Sequence, residues 1–353
     1  MFAQVHKPEI VSGEELDQYL SEGWFRNGQR IFTTNFLNFN NELYSAIWLR
    51  IDLKNIKEDK TFKKLSKLNN SFTITIQPAT ITPEKEALFQ EYRSGMSFVA
   101  SQSLQTLLFG DSTCDVFNTY EVLLHDENIL IGVGYFDVGN ASAAGIISFY
   151  DLAYKKYSLG KYLILLKVNY CQKLQFDFFY PGYFAPNYPA FDYKLTISRD
   201  NLTFLELSSQ NWLPIDSFCP ANDPYLIMIE KLKEAQQLLV QNTITCKLYN
   251  YTFFEANIIP NLIGLNLFDF PVFLTCFDEV EDVVNPMIVY DVINQCFHLV
   301  ACKSVWKADN TVEEGFYSTH LLKLKKHICS TLLAEEMVKI ISNVTTENSK
   351  LEK

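Results

Sequence analysis

Between residues 120 and 184 the chain sets out three strand-like runs, one helix-like run and a fourth strand-like run, in that order. Tyr120–His125, Ile129–Val138 and Ala144–Asp151 are rich in β-branched and aromatic residues, the types that suit a pleated surface. The string HDEN between the first two is a turn signal, so the three runs predict an antiparallel meander. In SLGKYLILLKVNYCQKLQ, Ser158 stands where an N-cap belongs, and Leu163, Leu166, Val168 and Leu174 follow at roughly helical spacing. Phe176–Phe184 is strand-like again. Residues 118–195 are therefore expected to form a mixed, largely antiparallel sheet with the 158–174 helix packed on it.

That order is similar to an acyltransferase core of the GNAT type, in which the N-terminus of the helix after the third strand faces the acyl carrier. The fold class expected is α/β (α+β). A helix over Pro83–Phe98 precedes the core: Thr82 is its N-cap, Pro83 takes the first helical position, and acids fill the first turn. Residues 1–78 read as short strands with one basic stretch. After about residue 200 the stretch SRDNLTFLELSSQNWLPIDSFCPANDP reads as a linker or long loop. The division expected is 1–78, 79–200 and 201–353, the last an α+β extension. It offers a helix at Asp223–Gln241 and strand-like runs at Thr245–Phe254, Pro271–Phe277, Met287–Val292 and Cys296–Lys303. A final amphipathic helix is expected at His320–Ile341, followed by a frayed polar tail.

Composition bounds the function. Apolar residues make up 48% of the chain and charged ones 20%, so general disorder is excluded. The net charge of −11 excludes a general nucleic-acid binder, and any such contact must come from a local basic patch. One exists: KNIKEDKTFKKLSKL carries lysines at 54, 57, 60, 63, 64 and 67 against Glu58 and Asp59. A second cluster, Lys323, Lys325, Lys326 and His327, falls in the expected final helix and reads equally as a binding patch or a solvated face. The eight cysteines form no CxxC and read as thiols of a reducing cytosol. The five histidines show no ligand spacing, so no metal is implied. GVGYFDVG lies inside a strand pair and fails the context of a dinucleotide loop. The start of the chain shows no apolar run of signal-peptide length, and no window is long and apolar enough for a membrane span. A cytoplasmic protein without membrane contact is expected.

The segment FYPGYFAPNYPAFDYK, Phe179 to Lys194, sets aromatic rings among three prolines and a glycine. It resembles the C-terminal signature of the arginyl-tRNA–protein transferases, with Gly182, Tyr183, Phe184, Pro189, Tyr193 and Lys194 at matching positions. Upstream, Asp151 and Ser158-Leu159-Gly160 match the acidic strand end and S-L-G of the same family. Gly23, Trp24, Arg26 and Gly28, with Tyr92 and Arg93, resemble its earlier segments. Departures are the absence of an N-terminal cysteine cluster and the run Tyr188, Ala190, Phe191 and Asp192, where the family carries Cys, Lys, Met and Arg. An acidic acceptor residue would be repelled by Asp192 if that side chain faced the pocket.

The resemblance implies transfer of arginine or leucine from a charged tRNA to the N-terminal amine of a protein, marking it for N-end-rule degradation. The partners implied are aminoacyl-tRNA and the N-terminus of an acceptor protein, with no cofactor. Asp151 and Tyr183 are the expected proton-handling residues. Ser158, Leu159 and Gly160, at a helix start, suit a phosphate or carbonyl, and Gly182, Tyr188, Tyr193 and Lys194 complete the substrate surface. Lys63, Lys64 and Lys67 are expected to meet tRNA. The alternatives are an acyl-coenzyme A N-acyltransferase, for which YSLGKY lacks the pyrophosphate loop, and a non-catalytic protein retaining the fold.

Overall fold

A computed structural model describes the chain except residues 1, 40, 57–59, 96–100, 111, 113, 277–284, 310–312 and 352–353, and the side chains of 344–351. Lys57 of the basic stretch, residues 96–98 of the expected first core helix and Phe277 lie outside the described residues. Strands β1 (Ala3–His6), β2 (Phe25–Asn27) and β3 (Arg30–Thr34) form a small sheet in the order β1-β3-β2, and β4 (Phe36–Phe39) pairs with β5 (Glu42–Ser45). Helix α1 (Gly13–Ser21) starts on a capping box: Ser12 Oγ accepts the Glu15 N–H and Glu15 Oε2 accepts the Ser12 N–H.

The main sheet has eight strands: β6 (Ile47–Asp52), β7 (Thr73–Pro78), β8 (Thr119–Asp126), β9 (Ile129–Val138), β10 (Ser142–Tyr150), β11 (Phe178–Phe184), β12 (Leu202–Glu206) and β13 (Asn211–Pro214). Their spatial order is β13-β12-β6-β11-β10-β9-β8-β7. Strands β8, β9 and β10 form the expected antiparallel meander. The sheet crosses both sequence divisions, taking β6 and β7 from before residue 79 and β12 and β13 from after 200. Alternation sorts its two faces. Val122, Leu124, Ile131, Phe136 and Phe179 pack under helix α5 (Leu159–Lys173). Leu123, Leu130, Val133, Tyr135 and Phe149 pack under α3 (Pro83–Ser94) and α4 (Leu104–Phe109) on the other face. On the α5 face, α2 (Lys60–Leu68) rests on α5 through Phe62 and buried Leu65. Thr82 caps α3 by accepting the Lys85 N–H, with Pro83 at the start and Glu84 and Glu86 in the first turn.

One parallel pair lies inside this sheet, and it is short. Strand β10 pairs with β11 only over Ser142–Ala144 against Phe178–Tyr180. Beyond that, a bulge after Gly145 carries β10 along β9, while β11 continues along β6 as far as Phe184. Residues 145–148 are half-exposed in mid-sheet. A splay between two central parallel strands, with the crossover helix α5 starting above it, is the arrangement of a GNAT-type core, as the strand order predicted.

The extension holds α6 (Pro224–Gln241), α7 (Ala334–Leu351) and six strands: β14 (Lys247–Tyr251), β15 (Val272–Thr275), β16 (Asn285–Asp291), β17 (Cys296–Lys307), β18 (Phe316–Tyr317) and β19 (His320–Thr331), in the order β18-β14-β15-β16-β17-β19. Phe2, Phe36 and Leu43 of the N-terminal part share its apolar core with Met228, Phe254 and Phe273. Ser45 donates to the Asp223 carboxylate that caps α6.

Three expectations are corrected. His320–Thr331 is a strand, not the start of the final helix: Lys and Leu favour helix locally, but pairing along β17 supplies a full ladder. The helix begins at Ala334 and runs on through Leu351, where a frayed tail was expected. The stretch after residue 200 is no linker. Leu202, Phe204 and Leu205 are buried in β12, and the Ser/Gln-rich residues merely turn the chain into β13.

Candidate active site

Helix α5 opens on an unusual start. Ser158 is left-handed (φ 55°, ψ 42°), and its side chain makes no cap hydrogen bond. The expected side-chain N-cap is thereby corrected: Ser158 instead ends a 3-10 turn, Leu152–Tyr157. Asp151 caps that turn, its carboxylate accepting the Ala153 N–H at 2.8 Å. The Tyr162 N–H closes onto the Ser158 carbonyl. Among the described residues no partner is drawn to the backbone N–H of Leu159, Gly160 or Lys161. These are the first donors of a fifteen-residue helix, where the N–H groups and helix dipole favour an anion or a developing oxyanion. A Cβ at Gly160 would lie 3.1 Å from the Tyr150 ring, so glycine lets α5 approach the end of β10.

After β11 the chain turns back over this opening. Pro189–Thr196 forms a 3-10 turn. The Thr196 hydroxyl accepts from the Lys161 ammonium at 2.9 Å, which ties the end of the turn to the start of α5. Tyr193 lies within electrostatic reach of Tyr92 on α3, and the Tyr92 ring is 5.3 Å from that of Tyr150. Lys194 is buried beneath, donating to the Tyr183 carbonyl at 2.6 Å with its ammonium against the faces of Tyr183 and Phe191. Burial pushes its ammonium down to about 7. Gly182 is required here twice over: its φ is +91°, and a Cβ would stand 3.3 Å from the Lys194 Nζ.

Tyr183 is half-buried, edge-on to Trp48 at 5.1 Å. Burial first, then the charges of Glu255 and Tyr193, push its phenol up to about 12. At neutral pH it is a hydrogen-bond donor. Glu255 was not foreseen. It comes from the extension and is half-buried; its carboxyl group has no hydrogen-bond or ion-pair partner drawn among the described residues and is raised by desolvation. The signal was in the sequence: an acid enclosed by apolar residues in FFEANII. Tyr188 stacks on Phe39 at 4.7 Å and borders Tyr44, at the β4–β5 side of the turn. Asp192 is exposed on that turn.

The structure thus gathers Leu159, Gly160, Gly182, Tyr183, Tyr193 and Lys194 about the splay, with Tyr92, Tyr150 and Glu255 beside them. Among the described residues it draws no interaction between Asp151 and Tyr183, Tyr193 or Lys194. Lys63, Lys64 and Lys67 are exposed on α2. A pocket of about 300 Å³ lies between α2 and α5, and none of its lining residues comes from β10 or β11. No helix among the described residues is long and apolar enough to cross a membrane.

Residues 84–203 match the family model described as "Arginine-tRNA-protein transferase, C terminus". An aspartate/glutamate leucyltransferase of Leptospira interrogans serovar copenhageni is 28% identical over 217 residues, 60% of this chain and 82% of that one. One of Helicobacter hepaticus is 27% identical over 185 residues, 50% of this chain and 73% of that one. Among solved structures, FemX aligns with a TM-score of 0.30 at 7% identity, over 53% of this chain and 64% of that one, so the fold rests on the strand order itself. The matched segment runs through the splay, the open start of α5 and the turn over them, and over those residues the chain is similar to the arginine-tRNA–protein transferases.

Proposed function

We propose that the protein transfers an aminoacyl group from charged tRNA to the N-terminal amine of an acceptor protein, marking it for N-end-rule degradation. The names of its relatives favour leucine as the group and an N-terminal aspartate or glutamate as the acceptor. The observation that carries the proposal is the uncapped N-terminus of α5 opening onto the β10–β11 splay. A tRNA ester is already activated, so the reaction requires only that ester and amine be held together. Proximity and orientation supply about 7–11 kcal/mol in such cases. The neutral amine attacks the ester carbonyl, a C–N bond forms as the C–O bond to the ribose breaks, and the amine's proton passes to the ribose oxygen.

In this reading the N–H groups of Leu159, Gly160 and Lys161 receive the oxyanion. Tyr183, kept protonated by burial, donates to the substrate. Lys194 clamps the turn through the Tyr183 carbonyl, and Tyr188 and Tyr193 line the acceptor side. The Lys161 ammonium, at the rim, suits an acidic acceptor side chain, and Asp192 stands away on the exposed turn. Asp151 and Glu255 are the two candidate carboxylates for the proton. Residues 1–78 and 79–200 supply most of the transferase, and 201–353 adds β12, β13 and Glu255.

The test is incubation with mixed charged tRNAs and peptides of every N-terminal residue, with products read by mass. The expected result is one aminoacyl residue added at the α-amine, with leucine onto aspartate or glutamate preferred. Failure of every charged tRNA to donate contradicts the proposal. In the same assay Glu255→Gln is expected to lower kcat by about two to four orders of magnitude with tRNA affinity unchanged, and Asp151→Asn to act mainly on stability. The reverse outcome returns the proton-handling role to Asp151.

A further inference from the structure

The two long strands of the extension form a basic ribbon. Strands β17 (CFHLVACKSVWK) and β19 (HLLKLKKHICST) carry five lysines and no acid, in a chain whose net charge is −11. Strand β19 is an edge strand. Lys303 and Lys323 stand directly opposite each other. Lys325 falls in the bulge where the register passes from Leu324–Cys302 to Lys326–Ala301, and it and Lys326 are exposed. Among the described residues no carboxylate is drawn to Lys303, Lys323, Lys325 or Lys326. Trp306 is 59% exposed beside them, with Val305 and Leu324 also out. The connection between the strands carries Asp309, Glu313 and Glu314, and Glu313 accepts from Asn41.

Edge strands do carry lysines to discourage pairing with another chain. That accounts for Lys325 and Lys326. It does not account for Lys303 on the inner strand, because like charges directly opposite are destabilising. Nor does it account for a tryptophan next to them that is more than half exposed, with only the Phe253 ring drawn against it among the described residues. A row of unneutralised cations interleaved with an exposed aromatic ring fits a phosphate backbone with an accessible base.

We infer that the β17–β19 ribbon is a tRNA-binding surface, separate from α2, on which Lys303, Lys323, Lys325 and Lys326 meet backbone phosphates and Trp306 stacks on a base. The inference rests on charged tRNA being the donor. It makes the extension part of the donor site.

The test is tRNA binding by the full chain as a function of salt, for the wild type, the triple variant Lys323→Glu/Lys325→Glu/Lys326→Glu, and Trp306→Ala. Each lost phosphate contact removes about 0.7–0.9 from the slope of log K against log salt. The triple variant is expected to lower the slope by about 2–3 and weaken binding at least tenfold. Trp306→Ala is expected to weaken binding with the slope unchanged. Neutral Lys→Gln versions, with thermal unfolding followed alongside, separate charge from misfolding. If the wild type transfers from tRNA but the triple variant keeps the wild-type slope, the inference fails and the proposed function stands. A loss confined to vesicles of anionic lipid also overturns it. If the wild type takes no aminoacyl group from any tRNA, the proposed function itself has failed.

Discussion

Lys167 lies under the main sheet with no carboxylate beside it among the described residues. Its amine meets the Tyr135 carbonyl at 2.9 Å, the Ile147 carbonyl at 3.0 Å and the Ser148 hydroxyl at 3.1 Å. Two acceptors and one hydroxyl suit a neutral amine, which donates twice and accepts once. Burial pushes Lys167 down to about 7 from 10.5, as it does Lys194. The unfolded chain therefore holds two protons that the folded chain releases between about 7 and 10.5. Stability must rise with pH through that window and settle at its lower value below 7. Buried thiols such as Cys171, pushed up from 9 to about 12, act in the opposite sense above 9. Thermal unfolding between pH 7 and 8.5 is the clean measurement. The wild type is expected to gain stability with pH, and Lys167→Met to start lower, because two carbonyls lose their donor, but to rise less steeply. An equal slope in both would show that Lys167 keeps its proton when folded. Nothing in the spacing of helix 158–174 distinguished Lys167 from a surface lysine, since a helical run gives no sign of which sheet residue is a glycine. Gly134 makes the room: a Cβ there would stand 2.7 Å from the Lys167 side chain.

At the scale of elements, local signals were legible where the chain decides locally. Thr82 and Pro83 announced α3, HDEN announced the β8–β9 turn, and Asp223 announced α6. Where a distant partner decides, they misled. Strand β19 is built from helix-favouring lysines and leucines that pairing along β17 holds extended. The candidate site divides in the same way. Gly182, Tyr183, Tyr193 and Lys194 sit in one contiguous segment and could be named together. Glu255 comes from the turn after β14, far along the chain, and could not be assigned to them. Helix α2 is the element whose proposed role is most easily tested. Lys60, Lys63, Lys64 and Lys67 share its exposed side, opposite buried Leu65. Reversing Lys63, Lys64 and Lys67 to Glu is expected to weaken tRNA binding and lower its salt slope by about 2–3 without moving the unfolding transition. Unchanged binding would make this face an ordinary solvated one.

At the scale of the whole molecule, the extension is not an appendage. Phe2, Phe36 and Leu43 enter its core, Ser45 binds its Asp223, and it returns Glu255 to the surroundings of Tyr183. The α2 face and the β17–β19 ribbon are then two basic surfaces on a protein of opposite net charge, and a large polyanion fits both. The central claim is that the donor's aminoacyl end enters the β10–β11 splay against the start of α5. Its most direct test is a crystal structure with a non-hydrolysable, amide-linked 3′-leucyl-adenosine. The account predicts the leucyl carbonyl oxygen within hydrogen-bond distance of the Leu159–Lys161 N–H groups, beside Tyr183. A ligand seated in the pocket between α2 and α5, with that helix start left open, would contradict it.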